Sequence, residues 1–191
     1  MIERIISEMP TNRNPQRVVS TTGGPLVLID NASVADWGGV QVHNTTMGPV
    51  SDYERACQIR GYLGTVDIQH GCALVLNDMP MDTTVIEVSR SELWVIRFMY
   101  GECREYENYM RQEAEQIFSL GNVTGPKNMK FRISGNSFSI FDASSTYLFA
   151  CRESNVIDVG MDSGNYVINT YDHTSQDFRL IVHMMSLVPQ S

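Results

Sequence analysis

Lysine is almost missing from this chain: Lys127 and Lys130 are the only two in 191 residues. Acidic side chains outnumber basic ones 22 to 14, and the formal charge is −8. Neutralising a phosphate backbone takes clustered Lys and Arg, which argues against a nucleic-acid binder. An anionic membrane surface is disfavoured for the same reason. A basic protein partner is favoured, although acidity also serves solubility. The four cysteines, Cys57, Cys72, Cys103 and Cys151, form no Cys-x-x-Cys pair and read as free thiols of a reducing compartment. No apolar run approaches the roughly 20 residues that span a bilayer. The opening MIERIISEMPTNRNPQR carries Glu3 and Arg4 and lacks the apolar stretch of a signal peptide. These absences together point to the cytoplasm. There is no excess of glycine or proline and no low-complexity block.

What is present is ordinary globular material. Hydrophobic residues make up 42% of the chain, and a chain this long buries roughly 70% of its unfolded surface without disulfides or metals. Residues 1–17 read as an N-terminal tail. Residues 18–191 read as a single α+β domain, with 18–119 and 129–191 as two candidate subdomains and a joint at 120–129. LVLID (26–30) is a buried strand after the Gly23-Gly24-Pro25 turn. Asn31 or Ser33 caps a helical turn that carries Trp37 and ends at Gly38-Gly39, and residues 40–50 are loop-like. Ser51 or Asp52 opens a short helix near 51–60, stopped by Gly61.

YLGTVDI (62–68) and CALVLN (72–77) predict a hairpin around His70-Gly71. TTVIEVS (83–89) and LWVIRFMY (93–100) predict another around Arg90-Ser91. One long helix is expected near 102–119, with Tyr109, Met110, Ala114 and Ile117 on its apolar face. The C-terminal third is strand-rich: FRIS (131–134), SFSIF (137–141), NVIDVG, NYVINTY and FRLIVHMMSLV (178–188). Gly135-Asn136 between the first two is a hairpin signal. Short strands with tight turns and two central helices predict an α+β fold with mostly antiparallel sheet.

No motif supplies catalysis. Cys57 as a nucleophile needs a positioned base, and the histidines, at 43, 70, 173 and 183, are scattered along the chain. Small free cysteines mostly pack as core residues, and that is the reading taken for Cys57. His70-x-Cys72 supplies at most two of the four ligands that structural zinc takes. No Gly-x-x-x-x-Gly-Lys run exists. Catalytic residues, a metal site and a cofactor are therefore all expected to be absent. The face of the expected long helix that bears Glu102, Glu105, Glu107, Glu113 and Glu115 is the first candidate for a basic partner, although charged helix faces are usually just solvated.

Five stretches between about Ser20 and Tyr100 carry a family resemblance: TTGGPLVLID, ADWGG, SDYERACQIRGYLG, CALVLNDMP and LWVIRFMY. They resemble the immunity protein 21 family of bacterial polymorphic toxin systems, which is associated with a Trp-x-Gly and a Tyr-x-x-x-Cys motif. Trp37-Gly38-Gly39 fits the first and Tyr53-Glu-Arg-Ala-Cys57 the second. The resemblance implies a non-enzymatic protein that binds and neutralises a cognate toxin. It implies that Trp37, Gly38, Gly39, Tyr53 and Cys57 fix the fold, with Trp37 packed near a buried Tyr53–Cys57 helix face. The expected partner is the toxin, and the expected state is a monomer or weak homodimer. Two other functions compete: a ligand-binding or structural module, and a small cysteine or histidine enzyme.

Overall fold

LVLID is apolar at every position except its last because the strand it forms, β1 (Leu26–Asp30), is buried on both faces. Leu26 and Leu28 point into one apolar cluster, Val27 and Ile29 into another. The period-two alternation of a strand thus separates two cores. The computed structural model describes residues 18–21, 23–45, 48–77, 82–99, 107–120, 128–174 and 179–189.

Around β1 the chain lays down two antiparallel five-stranded sheets. The chain continues through a 3-10 turn (Val34–Asp36), β2 (Val42–Thr45), β3 (Gly48–Ser51), helix α1 (Asp52–Cys57), β4 (Leu63–Ile68), β5 (Gly71–Leu76), β6 (Asp82–Ser89) and β7 (Glu92–Met99). Helix α2 (Glu107–Leu120) is followed by β8 (Met129–Ile133), β9 (Ser137–Asp142), helix α3 (Tyr147–Arg152), β10 (Val156–Gly160), β11 (Gly164–Thr174) and β12 (Arg179–Leu187). The first sheet has the order β10-β9-β1-β5-β4, the second β6-β7-β12-β11-β8, and β2-β3 is a separate hairpin. Each sheet takes strands from both sides of residues 121–127.

The sheets share one core. Leu26, Leu28, Leu74, Phe138, Ile140 and Ile157 of the first meet Leu93, Val95, Phe131, Tyr166, Ile168 and Met185 of the second. The outer face of the first sheet is covered by Val34, Trp37, Ala56 and Ala150 from the 3-10 turn, α1 and α3. The outer face of the second is covered by Ala114 and Ile117 of α2, which sit on Trp94, Phe98, Tyr171 and Leu180. Among the described residues no helix is long and apolar enough to cross a membrane.

The expected α+β fold with one long helix is overturned. Among the described residues strands dominate and every helix is short; the longest of them, α2, has 14 residues. Residues 102–106 of the expected helix lie outside the described residues. Helix α1 is shorter than the 51–60 expected: it ends at Cys57, with Gln58 as its C-cap, well before Gly61. The two hairpins expected in the first half are present, as β4–β5 and β6–β7. Gly135-Asn136 is not a hairpin turn, because β8 and β9 belong to different sheets. The chain crosses between the sheets there, and the Asp30 carboxylate accepts from the backbone amides of Ser134 and, at 2.7 Å, Gly135. Helix α3 and the hairpin at 42–51 had no counterpart among the expected elements.

A polar cluster crosses the shared core. Tyr62, just before β4, donates its phenol to Asp172 of β11 at 2.8 Å. Arg179 of β12 grips the same carboxylate at 2.6 and 3.1 Å. Burial by itself raises the Asp172 carboxyl, but the Arg179 and Tyr62 hydrogen bonds outweigh it and hold it below its usual range. His183 of β12 is fully buried beside Arg97 and shares a 3.0 Å hydrogen bond with Thr170. Desolvation, then the Arg97 charge, pushes its pKa down to about 3.

Candidate functional site

Trp37, Gly38 and Gly39 form a junction on the outer face of the first sheet. The indole of Trp37 is buried and donates its N–H to the Ala143 carbonyl at 2.9 Å. The Gly38 amide donates to the Asp52 carboxylate at 2.8 Å, and the Gly39 carbonyl accepts from the Tyr53 amide at 3.0 Å. The next amide, Val40, donates to the Ser144 carbonyl at 3.1 Å. Four consecutive residues therefore hold the start of α1 against the loop that opens α3. Gly39 sits at φ +60 in the left-handed region, where glycine is favoured.

Both helices start on a side-chain cap. Ser51 accepts from the Glu54 amide, and Glu54 answers by accepting from the Ser51 amide at 2.8 Å, a complete capping box. Thr146 accepts from the Phe149 amide at 3.4 Å. Asp52 is buried and ion-paired with Arg55, whose guanidinium also donates to the Asp67 carbonyl at 2.6 Å.

Tyr53 is half-buried against the same apolar cluster as Trp37, but Cys57 is exposed. The expectation of a buried cysteine is corrected here. Helix α1 turns Ala56 into the core and leaves Cys57, its last residue, exposed. The Tyr53 phenol is raised above its usual range, first by its hydrogen bond with the Cys57 thiol and then by burial. A phenol that holds its proton more tightly is a poor base for a thiol.

The same pairing recurs in α3. Tyr147-Leu-Phe-Ala-Cys151 repeats the spacing of Tyr53-Glu-Arg-Ala-Cys57, with a buried alanine three residues after each tyrosine and an exposed cysteine at each end. Tyr147 is raised by burial first and then by its hydrogen bond with Cys151. The junction at 37–40 thus links two Tyr-x-x-x-Cys helices. The second was missed in the sequence, although YLFAC beside YERAC is a signal that a search for the motif's own spacing finds.

The other candidates lie apart. His70 is bound to the Asp36 carboxylate through its amide at 3.0 Å and its ring at 2.9 Å, which pins the 3-10 turn. Cys72 is half-buried, and its thiol is raised by that burial and then by Asp67. No group of three or more His, Cys, Asp or Glu able to hold a metal occurs among the described residues. Of the acidic helix residues, Glu113 is half-buried and Glu115 exposed. Glu102, Glu105 and the side chain of Glu107 lie outside the described residues, as does Cys103.

No curated protein and no solved structure matches the chain. The family description Immunity protein 21 does, over residues 17–178, well beyond the Ser20–Tyr100 tract that carries the resemblance in sequence. That span includes every described strand except β12, and both Tyr-x-x-x-Cys helices. The chain belongs to the immunity protein 21 family.

Proposed function

We propose that this protein is the antidote of a bacterial toxin–immunity pair, that it works in the cytoplasm of the producing cell, and that it neutralises its cognate toxin by binding rather than by catalysis. The observation that carries this reading is family membership across residues 17–178. The charge of −8 supports a basic toxin, because complementary charge accelerates encounter. The contacts of the Trp37–Val40 junction are those of a scaffold: each polar group there holds one backbone segment against another. Trp37, Gly38, Gly39 and Tyr53 are accordingly read as fold-fixing, and the exposed Cys57 is left out of that reading.

The test is co-expression with the polymorphic toxin encoded beside the gene. Survival of the cells with a stoichiometric complex recovered on purification is the expected result. Survival without a complex points to an enzymatic or indirect route. Death with soluble protein present removes that toxin as the partner.

A further inference from the structure

Four of the five exposed large apolar side chains among the described residues lie on two segments that a backbone hydrogen bond joins, Val40–Val42 and the first turn of α3, which sets them apart from the scattered exposure normal for a surface. Leu148 (70% exposed) and Phe149 (53%) are consecutive in the first turn of α3. Val40 (57%) is hydrogen-bonded through its amide to Ser144, just before that turn, and Val42 (63%) follows it on β2. The junction at Trp37–Gly39 is what brings these two segments together.

The carboxylates around this patch outnumber the cations. Asp142 accepts from the Ser144 amide, Asp158 accepts from the Tyr147 hydroxyl at 3.4 Å, and Glu153 caps α3. Arg152 is the one cation on α3, and Arg55 on α1 is occupied by the buried Asp52. An apolar centre with an acidic edge is the anatomy of a protein–protein interface, and it fits a partner surface of apolar side chains edged by Lys and Arg. Among the described side chains of α2 no such centre is exposed. Ala114 and Ile117 of α2 are turned into the second sheet, and Gln112, Glu115, Gln116 and Ser119 face outward. Interface energy concentrates in buried aromatic and aliphatic anchors, not in solvated charges.

We infer that the toxin docks on the face formed by α3 and the Val40–Val42 segment, with Phe149 and Leu148 as anchors, and not on the acidic face of α2. This rests on the toxin-binding reading above and names its contact surface. The test measures binding of the full chain to the toxin encoded beside its gene, alongside melting curves of each variant. Wild type binds, and L148D/F149D weakens binding by at least about 100-fold without lowering the melting temperature, as loss of two anchors requires. E113K/E115K changes affinity by less than about threefold, as expected of rim charges. Val40→Glu, on the other segment of the patch, weakens binding too and decides the matter if the double variant melts early. Unchanged affinity in the patch variants overturns the surface while leaving the function standing, as does a loss confined to E113K/E115K. Failure of wild type to bind overturns both. An isolated chain that dimerises, and is made monomeric by L148D/F149D, assigns the patch to a second copy and overturns the inference.

Discussion

A β-carbon on Gly39 would lie 2.5 Å from the carbonyl oxygen of Ser144. The obstacle is backbone, so it cannot swing aside as a side-chain tip does. The left-handed φ of +60 adds its own cost for any residue with a β-carbon. Gly39→Ala is therefore expected to lose about 2 kcal/mol or more of stability. Urea unfolding measures it, and a midpoint equal to wild type refutes the account of the junction.

Trp37→Phe keeps most of the apolar volume but leaves the Ala143 carbonyl without its donor. The expected loss is about 1–3 kcal/mol, the cost of a buried acceptor left unsatisfied. Trp37→Ala adds a cavity, and about 3–5 kcal/mol is expected. The difference between the two midpoints separates hydrogen bond from packing.

Acid destabilises this fold through two groups. The pKa of His183 falls from 6.5 to about 3 on folding, so the unfolded chain binds the extra proton between those values. Stability is fully present above about pH 6.5 and falls by up to about 1.4 kcal/mol per unit as the pH drops toward 3. Asp172, held below its usual range, contributes stability above the unfolded carboxyl value that is lost as pH falls through its folded one. His183→Gln flattens the stability curve between pH 6.5 and 3 and leaves the steeper acid limb in place. A curve of unchanged slope excludes His183 as the source.

Thiol labelling of the native protein distinguishes the described cysteines. Cys57 and Cys151 are exposed, whereas Cys72 is half-buried with its thiol raised by that burial. A disulfide reagent followed by peptide mass analysis is expected to modify Cys57 and Cys151 well before Cys72. Cys57→Ser is expected to leave protection against the toxin intact, and its loss in a stable variant restores the nucleophile reading.

The strands were legible because this fold writes them plainly. LVLID, CALVLN and LWVIRF are near-continuous apolar runs, and each is a strand with both faces covered. Long-range assignment was not legible. Gly135-Asn136 announces a reversal of the chain, yet nothing local says that the next strand enters the other sheet; the Asp30 carboxylate, over 100 residues away, holds that crossing. Helix α3 escaped because six residues with Leu148 and Phe149 facing outward make no amphipathic stripe. The outward apolar residues that hid the helix are the ones that mark its surface. Cys57 misled because a cysteine four residues after a tyrosine does not by itself say which side of the helix is buried: α1 turns Ala56 inward and Cys57 outward.

The pairing of β1 has a consequence for synthesis. Leu28 faces Leu74 on one side and Ile140 on the other. Its second partner leaves the ribosome about 110 residues later, a wait of roughly 5–20 s at typical elongation rates of about 5–20 residues per second. Until then the central strand of the first sheet has an open edge, and Val40 has no Ser144 to rest on. Contacts this distant in sequence slow folding as well. The face at the Trp37 junction is thus assembled late, when most of the chain has already been translated.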